Sequence, residues 1–164
     1  GRETGLDLKV KWPNDLICGG RKFAGMLTEA RIDRDQLKDL VFGLGVNVNM
    51  PRAAFAETIR ETATSLAVET GSTLGLHALF TGLVRALVEA LEHYLEEAPE
   101  QRLFELWEPR DHLKDRRIHA RNGRISVSGV ARGINRQGCL LVESDDGSEI
   151  ALRAGDASLA QKPD

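Results

Sequence analysis

The sequence is poor in cysteine and aromatic residues, with two Cys, five Phe, two Trp and one Tyr in 164 residues. Cys18 and Cys139 are too far apart in sequence for a metal-binding spacing, and two isolated thiols make no disulfide framework. A reducing compartment, the cytoplasm, is the expected location. No stretch approaches the roughly 18 apolar residues that a membrane-spanning helix needs. The opening "GRETGLDLKVKW" holds no apolar signal-peptide core, so nothing argues for export. Excess positive charge is lacking too: 22 Lys and Arg stand against 25 Asp and Glu, for a net charge of −3. A nucleic-acid binder ordinarily shows a basic face. The nearest approach to one, "KDRRIHARNGR" at residues 114 to 124, reads better as a solvated loop and edge strand whose cations discourage edge pairing. Position 1 is Gly rather than Met, so the chain reads as a fragment.

What is present is ordinary for a globular protein: 41% hydrophobic and 29% charged residues, at a length that suits one compact domain with a small appendage. Leu8, Val10 and Trp12 alternate with Lys9 and Lys11, which is the period of a strand with one buried face. Pro13 ends that strand, and Asn14 and Asp15 suit a turn. "ICGGRKFAGMLTEAR" predicts a hairpin with Gly19 and Gly20 at its tip and a second strand from about Lys22 to Arg31. "DRD" at 33 to 35 is the next turn. In "LKDLVFGLGVNVNM" the residues Leu40, Phe42, Leu44, Val46 and Val48 share one parity and are expected to form a core face. Gly43, Gly45, Asn47 and Asn49 share the other. Glycine weakens a strand unless a bulge, a tightly packed helix or a ligand needs the bare backbone.

Residues 50 to 72 read as loop. An amphipathic helix is expected from Ser72, capped by Ser72 or Thr73. Its apolar stripe of Leu76, Leu79, Phe80, Leu83, Val84, Leu87, Val88, Leu91 and Leu95 reads as core, opposite Arg85, Glu89, Glu92 and Glu96. A short helix follows Pro99. His77 and His93 sit at no metal-ligand spacing. After Asp111, short alternating runs broken by Asn-Gly, Gln-Gly and Asp-Gly turns predict four or five antiparallel strands in a small barrel. The fold class is therefore α+β, with a mixed or antiparallel sheet and packed helices over 1–111 and a small β-barrel over 112–164.

Four segments, "KWPNDL" at 11 to 16, "RKFAGMLTEA" at 21 to 30, "GLGVNVN" at 43 to 49 and "ATSL" at 63 to 66, occur in order with gaps that together resemble the biotin protein ligase family. The tail resembles that family's SH3-like C-terminal domain. Several expectations follow from the resemblance alone. The reaction has two steps: biotin attacks the α-phosphate of ATP, and a lysine of a carboxyl-carrier domain then attacks the biotinyl-AMP. An anion attacks an anion in the first step, so cations and dipoles must gather there. The resemblance makes Lys22 the ammonium that bridges biotin carboxylate and α-phosphate, suited to that as a compact charge. It places Gly25, Met26, Gly43, Gly45 and Val46 along the biotin pocket, with Lys22 facing the glycine-lined strand across a cleft. It places Asn14, Asp15 and Asn47 near the nucleotide, with Asp15 near Mg2+. A plain Asx turn would equally account for Asn14 and Asp15. Members of the family often dimerise through sheet edges.

Two departures qualify the resemblance. The family's glycine- and arginine-rich loop, of the form GRGRxGR, lies upstream of KWPND and is absent, as is any helix-turn-helix. This chain alone is therefore expected to be weak or inactive, since an uncovered adenylate hydrolyses, and a DNA-binding role is not expected. The arginine that often follows the last "SL" is here Ala160, and Arg153 lies earlier. Rival readings are a lipoate ligase, which shares the chemistry but lacks this kind of barrel, and a non-catalytic module that binds biotin or a carrier domain.

Overall fold

In a computed structural model, residues 5–96, 99–123 and 125–160 are described. Two compact units divide the chain. The first is built around Asn14–Val88 and the second around Val10–Pro13 with the chain from Glu89 onward.

The first unit carries a sheet of order β1-β2-β3-β4, made of Leu8–Lys11, Asp15–Cys18, Arg21–Asp33 and Gln36–Val46. β2 and β3 form the expected hairpin. Gly19 and Gly20 at its tip have φ of 55° and 78°, the positive values a tight hairpin turn requires. Arg34 and Asp35, also at positive φ, turn β3 into β4. The core is small: Cys18, Phe23, Ala24 and Leu66, with Leu8, Leu16, Val46, Leu74 and Leu79 packed against it.

Four expectations are corrected. The face of Leu40, Phe42 and Leu44 is not core: they are 54%, 41% and 39% exposed. β4 ends at Val46 rather than running to Met50. The α2 helix starts at Leu76 and runs to Glu96, so neither Ser72 nor Thr73 begins it. Asn49 explains the delay: its amide donates to Leu74 O at 2.9 Å and accepts from Leu74 N–H at 2.9 Å, which takes that residue's backbone out of helix pairing. The apolar stripe of α2 is also open rather than buried. Leu76, Phe80, Leu83, Val84, Leu87, Val88 and Leu91 are exposed, and only Leu79 is seated on the first core. The side chain of Leu95 lies outside the described residues. Periodicity records which face is apolar but not whether a partner element covers it.

A further helix, α1 at Leu66–Thr70, lies within the stretch read as loop. Ser65 caps it, its Oγ accepting from Val68 N–H at 3.2 Å, and Gly71 closes it in the left-handed region at φ 70°. Ser and Gly at those two places are a readable helix signal. After α2 come α3, Pro99–Trp107, and the second unit's five antiparallel strands. These are β5 Arg117–Asn122, β6 Ile125–Ile134, β7 Leu140–Ser144, β8 Glu149–Leu152 and β9 Asp156–Leu159, in the order β8-β7-β6-β5-β9. Leu113, Ile118, Ala120, Ala131, Leu140, Val142 and Ala157 form the core of this unit, and Trp12 joins it. The indole of Trp12 donates to Gly138 O at 3.0 Å. Among the described residues no helix is long and apolar enough to cross a membrane.

Candidate functional site

The candidate site is built on the β2–β3 hairpin and the turn before it. After the cis Trp12–Pro13 bond, Asn14 latches the turn to β3. Its Nδ2 donates to Met26 O at 2.6 Å, and Met26 N–H donates to Asn14 O at 2.9 Å. Met26 thus has its N–H spent and its carbonyl already accepting one bond. Asp15 opens β2 directly opposite Gly25. A register shift after Leu16 brings Lys22 opposite Ile17, and its ammonium ion-pairs with the Asp15 carboxylate. The Asp15 side chain is 16% exposed and that of Lys22 is 49% exposed. A shielded carboxylate therefore anchors a half-open ammonium. A Cβ on Gly25 would stand 3.2 Å from Lys22 Nζ and 3.6 Å from Asp15 Oδ1, so glycine leaves the pair its room.

Gly25 pairs with Gly45, and Leu27 with Gly43. Paired residues point to the same face and alternate residues share one. Gly25, Gly43 and Gly45 therefore share one face, bare at the Gly25–Gly45 pair and flanked by the Leu27 side chain opposite Gly43, with the Lys22 ammonium beside Gly25. Met26 and Val46 fall on the opposite face. A Cβ at Gly45 would meet only Gly25 O at 3.9 Å, and one at Gly43 only Leu27, at 3.6 Å and beyond. Among the described residues no helix packs on these glycines and no bulge falls there. The expectation that Lys22 faces this strand across a cleft is corrected: the two lie within one sheet, the ammonium standing at the edge of the glycine face.

Asn47 follows β4. Its N–H donates to Phe23 O at 2.8 Å, its carbonyl accepts from Leu66 N–H at 2.9 Å, and its Nδ2 donates to Thr64 O at 3.1 Å. Lys22 N–H donates to Thr62 O and Thr64 N–H donates to Lys22 O, both at 2.8 Å. Sequence alone gives these partners no role. Thr64 is buried, its Oγ donating to Glu69 Oε1 at 2.5 Å, and Arg21 Nη2 donates to the same oxygen at 2.7 Å. Burial, then the neighbouring Glu69 carboxylate, raises the Cys18 thiol, which keeps it protonated and unreactive. In the second unit, Ala160 N–H donates to Arg117 O at 3.0 Å, and Arg153 is exposed after β8. Among the described residues no group of three or more His, Cys, Asp or Glu converges on a metal position.

In the comparisons with known proteins, the segment that holds this site and the five-stranded β unit each match a model drawn from protein ligases. Residues 1–47, which hold Asn14, Asp15, Lys22, Gly25, Met26, Gly43, Gly45, Val46 and Asn47, match the family model described as biotin/lipoate A/B protein ligase family. Residues 115–160 match the model for the biotin protein ligase C-terminal domain. The bifunctional ligase/repressor BirA of Escherichia coli K12 is 34% identical over 162 residues, covering 94% of this chain and 50% of that protein. The biotin–[acetyl-CoA-carboxylase] ligase of Paracoccus denitrificans is 26% identical, covering 87% of this chain and 60% of its own length. The chain thus spans about half the length of the curated relatives it matches. The fold is that of the biotin protein ligase from Aquifex aeolicus solved in complex with biotin and ATP: TM-score 0.80 at 23% identity, over 98% of this chain and 65% of that one. Along its length the chain is similar to biotin protein ligases.

Proposed function

We propose that this chain contributes the lysine-bearing half of a site that joins biotin to a carrier-protein lysine through an adenylate. In the first step a biotin carboxylate oxygen bonds to the α-phosphorus of ATP, the bond to the β-phosphate oxygen breaks, and pyrophosphate leaves. In the second, a neutral lysine amine of a carboxyl-carrier domain attacks the acyl carbon, the bond from that carbon to the phosphate oxygen breaks, AMP leaves with the electron pair, and the nitrogen releases one proton to form the amide. The observation that carries the reading is the Lys22 ammonium, held by Asp15 beside the face that Gly25 and Gly45 leave bare. The folded bicycle and alkyl chain of biotin can lie against such a face, and the carboxylate at the end of the chain then reaches the ammonium. Lysine has three N–H donors, so Lys22 can keep Asp15 while bonding a carboxylate and a phosphate oxygen. Each anion is then partly neutralised as it approaches the other, a stabilisation that grows with the charge in the transition state.

Gly25, Gly43, Gly45, Met26 and Val46 line or support the biotin face in this reading, and Asn14, Asp15 and Asn47 border the nucleotide. Mg2+, implied by the family resemblance, does not find a donor set here. Asp15 is ion-paired to Lys22 and no cluster of three ligating groups forms among the described residues. No step above depends on it.

The test, run here and below on the full-length protein that carries this chain, is biotin-dependent release of pyrophosphate from ATP, with lipoate in parallel and an acceptor carrier domain assayed for biotin transfer. Lys22→Ala is expected to lower adenylate formation about 10²- to 10³-fold while the protein stays folded. Lys22→Arg should not restore the rate, because a planar fork does not replace a compact charge. Full adenylation by Lys22→Ala, or turnover of lipoate in preference to biotin, would overturn the proposal.

A further inference from the structure

We infer that Thr64 is a positioning residue that fixes Lys22 and Asn47 relative to one another, with Glu69 and Arg21 as its anchor. The inference rests on the reading of Lys22 given above and adds to it residues that touch no reacting atom. Thr64 spends each of its polar groups on a different part of the site. Its N–H donates to Lys22 O at 2.8 Å, its carbonyl accepts from Asn47 Nδ2 at 3.1 Å, and its Oγ donates to Glu69 Oε1 at 2.5 Å. The first bond holds the β3 residue that carries the ammonium. The second orients the side chain of the asparagine just beyond β4. The third ties both to α1, whose own start is fixed by Ser65. Ser65 Oγ donates to Met50 O at 2.7 Å and accepts from Val68 N–H.

Thr64 and Ser65 are 1% and 0% exposed, so water does not compete for these bonds. Glu69 Oε1 is shared with Arg21 Nη2 at 2.7 Å, and Arg21 precedes Lys22 in the chain. The carboxylate thus pulls on both sides of Lys22: through Arg21 on one side, and through the Thr64 contact to Lys22 O on the other. A purely structural cap would need only Ser65. The hydroxyl of Thr64 is the element that links the cap to the site.

Thr64→Val keeps the shape and removes the hydroxyl, whereas Thr64→Ser keeps the hydroxyl and removes a methyl. A packing role predicts that Ser is the worse change; positioning predicts that Val is. We expect Thr64→Val to lower kcat for biotin-dependent pyrophosphate release about tenfold, with KM for biotin held within about twofold, and Thr64→Ser to restore the rate. In the ligand-free protein, NMR should show faster amide exchange at Lys22 and Thr64 and shifted Asn47 side-chain resonances in Thr64→Val but not in Thr64→Ser. Should Thr64→Val fail to fold, Glu69→Gln serves in its place and should also lower kcat with KM for biotin held, by less than about tenfold. Wild-type kcat and spectra in Thr64→Val, or equal losses in both Thr64 variants, would overturn the inference. Lys22→Ala run beside them separates the two readings: if it stays fully active, the assignment of Lys22 has failed, whereas an inactive Lys22→Ala with a wild-type-like Thr64→Val sinks only the positioning role.

Discussion

Gly25 and Gly45 are partners in register, yet alanine at the two places should do different things. At Gly25 the new methyl would stand 3.2 Å from Lys22 Nζ and 3.3 Å from Cε, closer than ordinary contact. The lysine end is flexible and yields by a few tenths of an ångström. Gly25 is not among the glycines at positive φ, so alanine brings no backbone strain. A glycine in a strand costs roughly 0.5–1 kcal/mol relative to alanine, so stability should hold or rise by about that much. Activity should move the other way. A misplacement of about 1 Å costs on the order of a hundredfold, so a few tenths should cost about three- to tenfold in kcat, or roughly 0.7–1.4 kcal/mol. At Gly45 the methyl would meet only Gly25 O, at 3.9 Å, and the lysine is undisturbed. There the methyl stands on the bare face, and KM for biotin should rise while kcat changes little. The assay is steady-state pyrophosphate release with calorimetric melting of the same samples. A Gly25→Ala protein with unchanged kcat, or a Gly45→Ala protein with unchanged KM, would refute the reasoning, because either result means that the substrate does not lie where the glycines make room.

Two further predictions concern the second unit. A Cβ at Gly129 would lie 2.2 Å from Glu143 O on the paired strand, which is backbone and cannot yield, so Gly129→Ala should destabilise this unit by about 1–3 kcal/mol or more. Denaturant unfolding followed by the fluorescence of Trp12 and Trp107, both packed on this unit's core, reads this, and an unchanged midpoint would contradict it. Asp146, in the turn between β7 and β8, is lowered to about 2 by hydrogen bonds from the Ser144 and Ser148 side chains and the Ser148 N–H. Its folded value lies below its ordinary 3.8, so its contribution to stability is fully present above that pH and is lost as pH falls toward 2. The melting temperature of Asp146→Asn should converge on that of the wild type over this window, and a constant difference would refute it.

Alternation and turn chemistry make most of the first sheet readable. Gly19-Gly20 and Asp33-Arg34-Asp35 fix where β2, β3 and β4 reverse, and the alternate glycines of β4 mark its bare face. The ordered motifs bring out Lys22, Gly25 and Asn47, but not how they are joined. That junction depends on contacts between residues far apart in sequence: Asn14 with Met26, Asn47 with Thr64, and Asn49 with Leu74. A side-chain amide that completes a distant backbone leaves no periodic trace, so the delayed start of α2 is not readable. Trp12 shows the same limit, since alternation puts it on one side of β1 with Leu8 while the two belong to separate cores.

The exposed faces raise the remaining physical point. Phe42 and Leu44 on β4 and the stripe from Leu76 to Leu91 on α2 carry the period of buried elements, yet remain open here. The ammonium of Lys22 is positioned independently of either face. Its carboxylate partner, its backbone ties to Thr62 and Thr64, and the glycine room beneath it all come from the hairpin, the loop after β4 and α1. The chemical centre is therefore fixed by short-range hydrogen bonds within a small core, while the apolar faces bear on the stability of the sheet and helix around it. A charge must hold its place to a fraction of an ångström to act on a developing anion, whereas an apolar face tolerates a looser fit. Polar ties set the geometry of this site, and hydrophobic cover sets how long it persists.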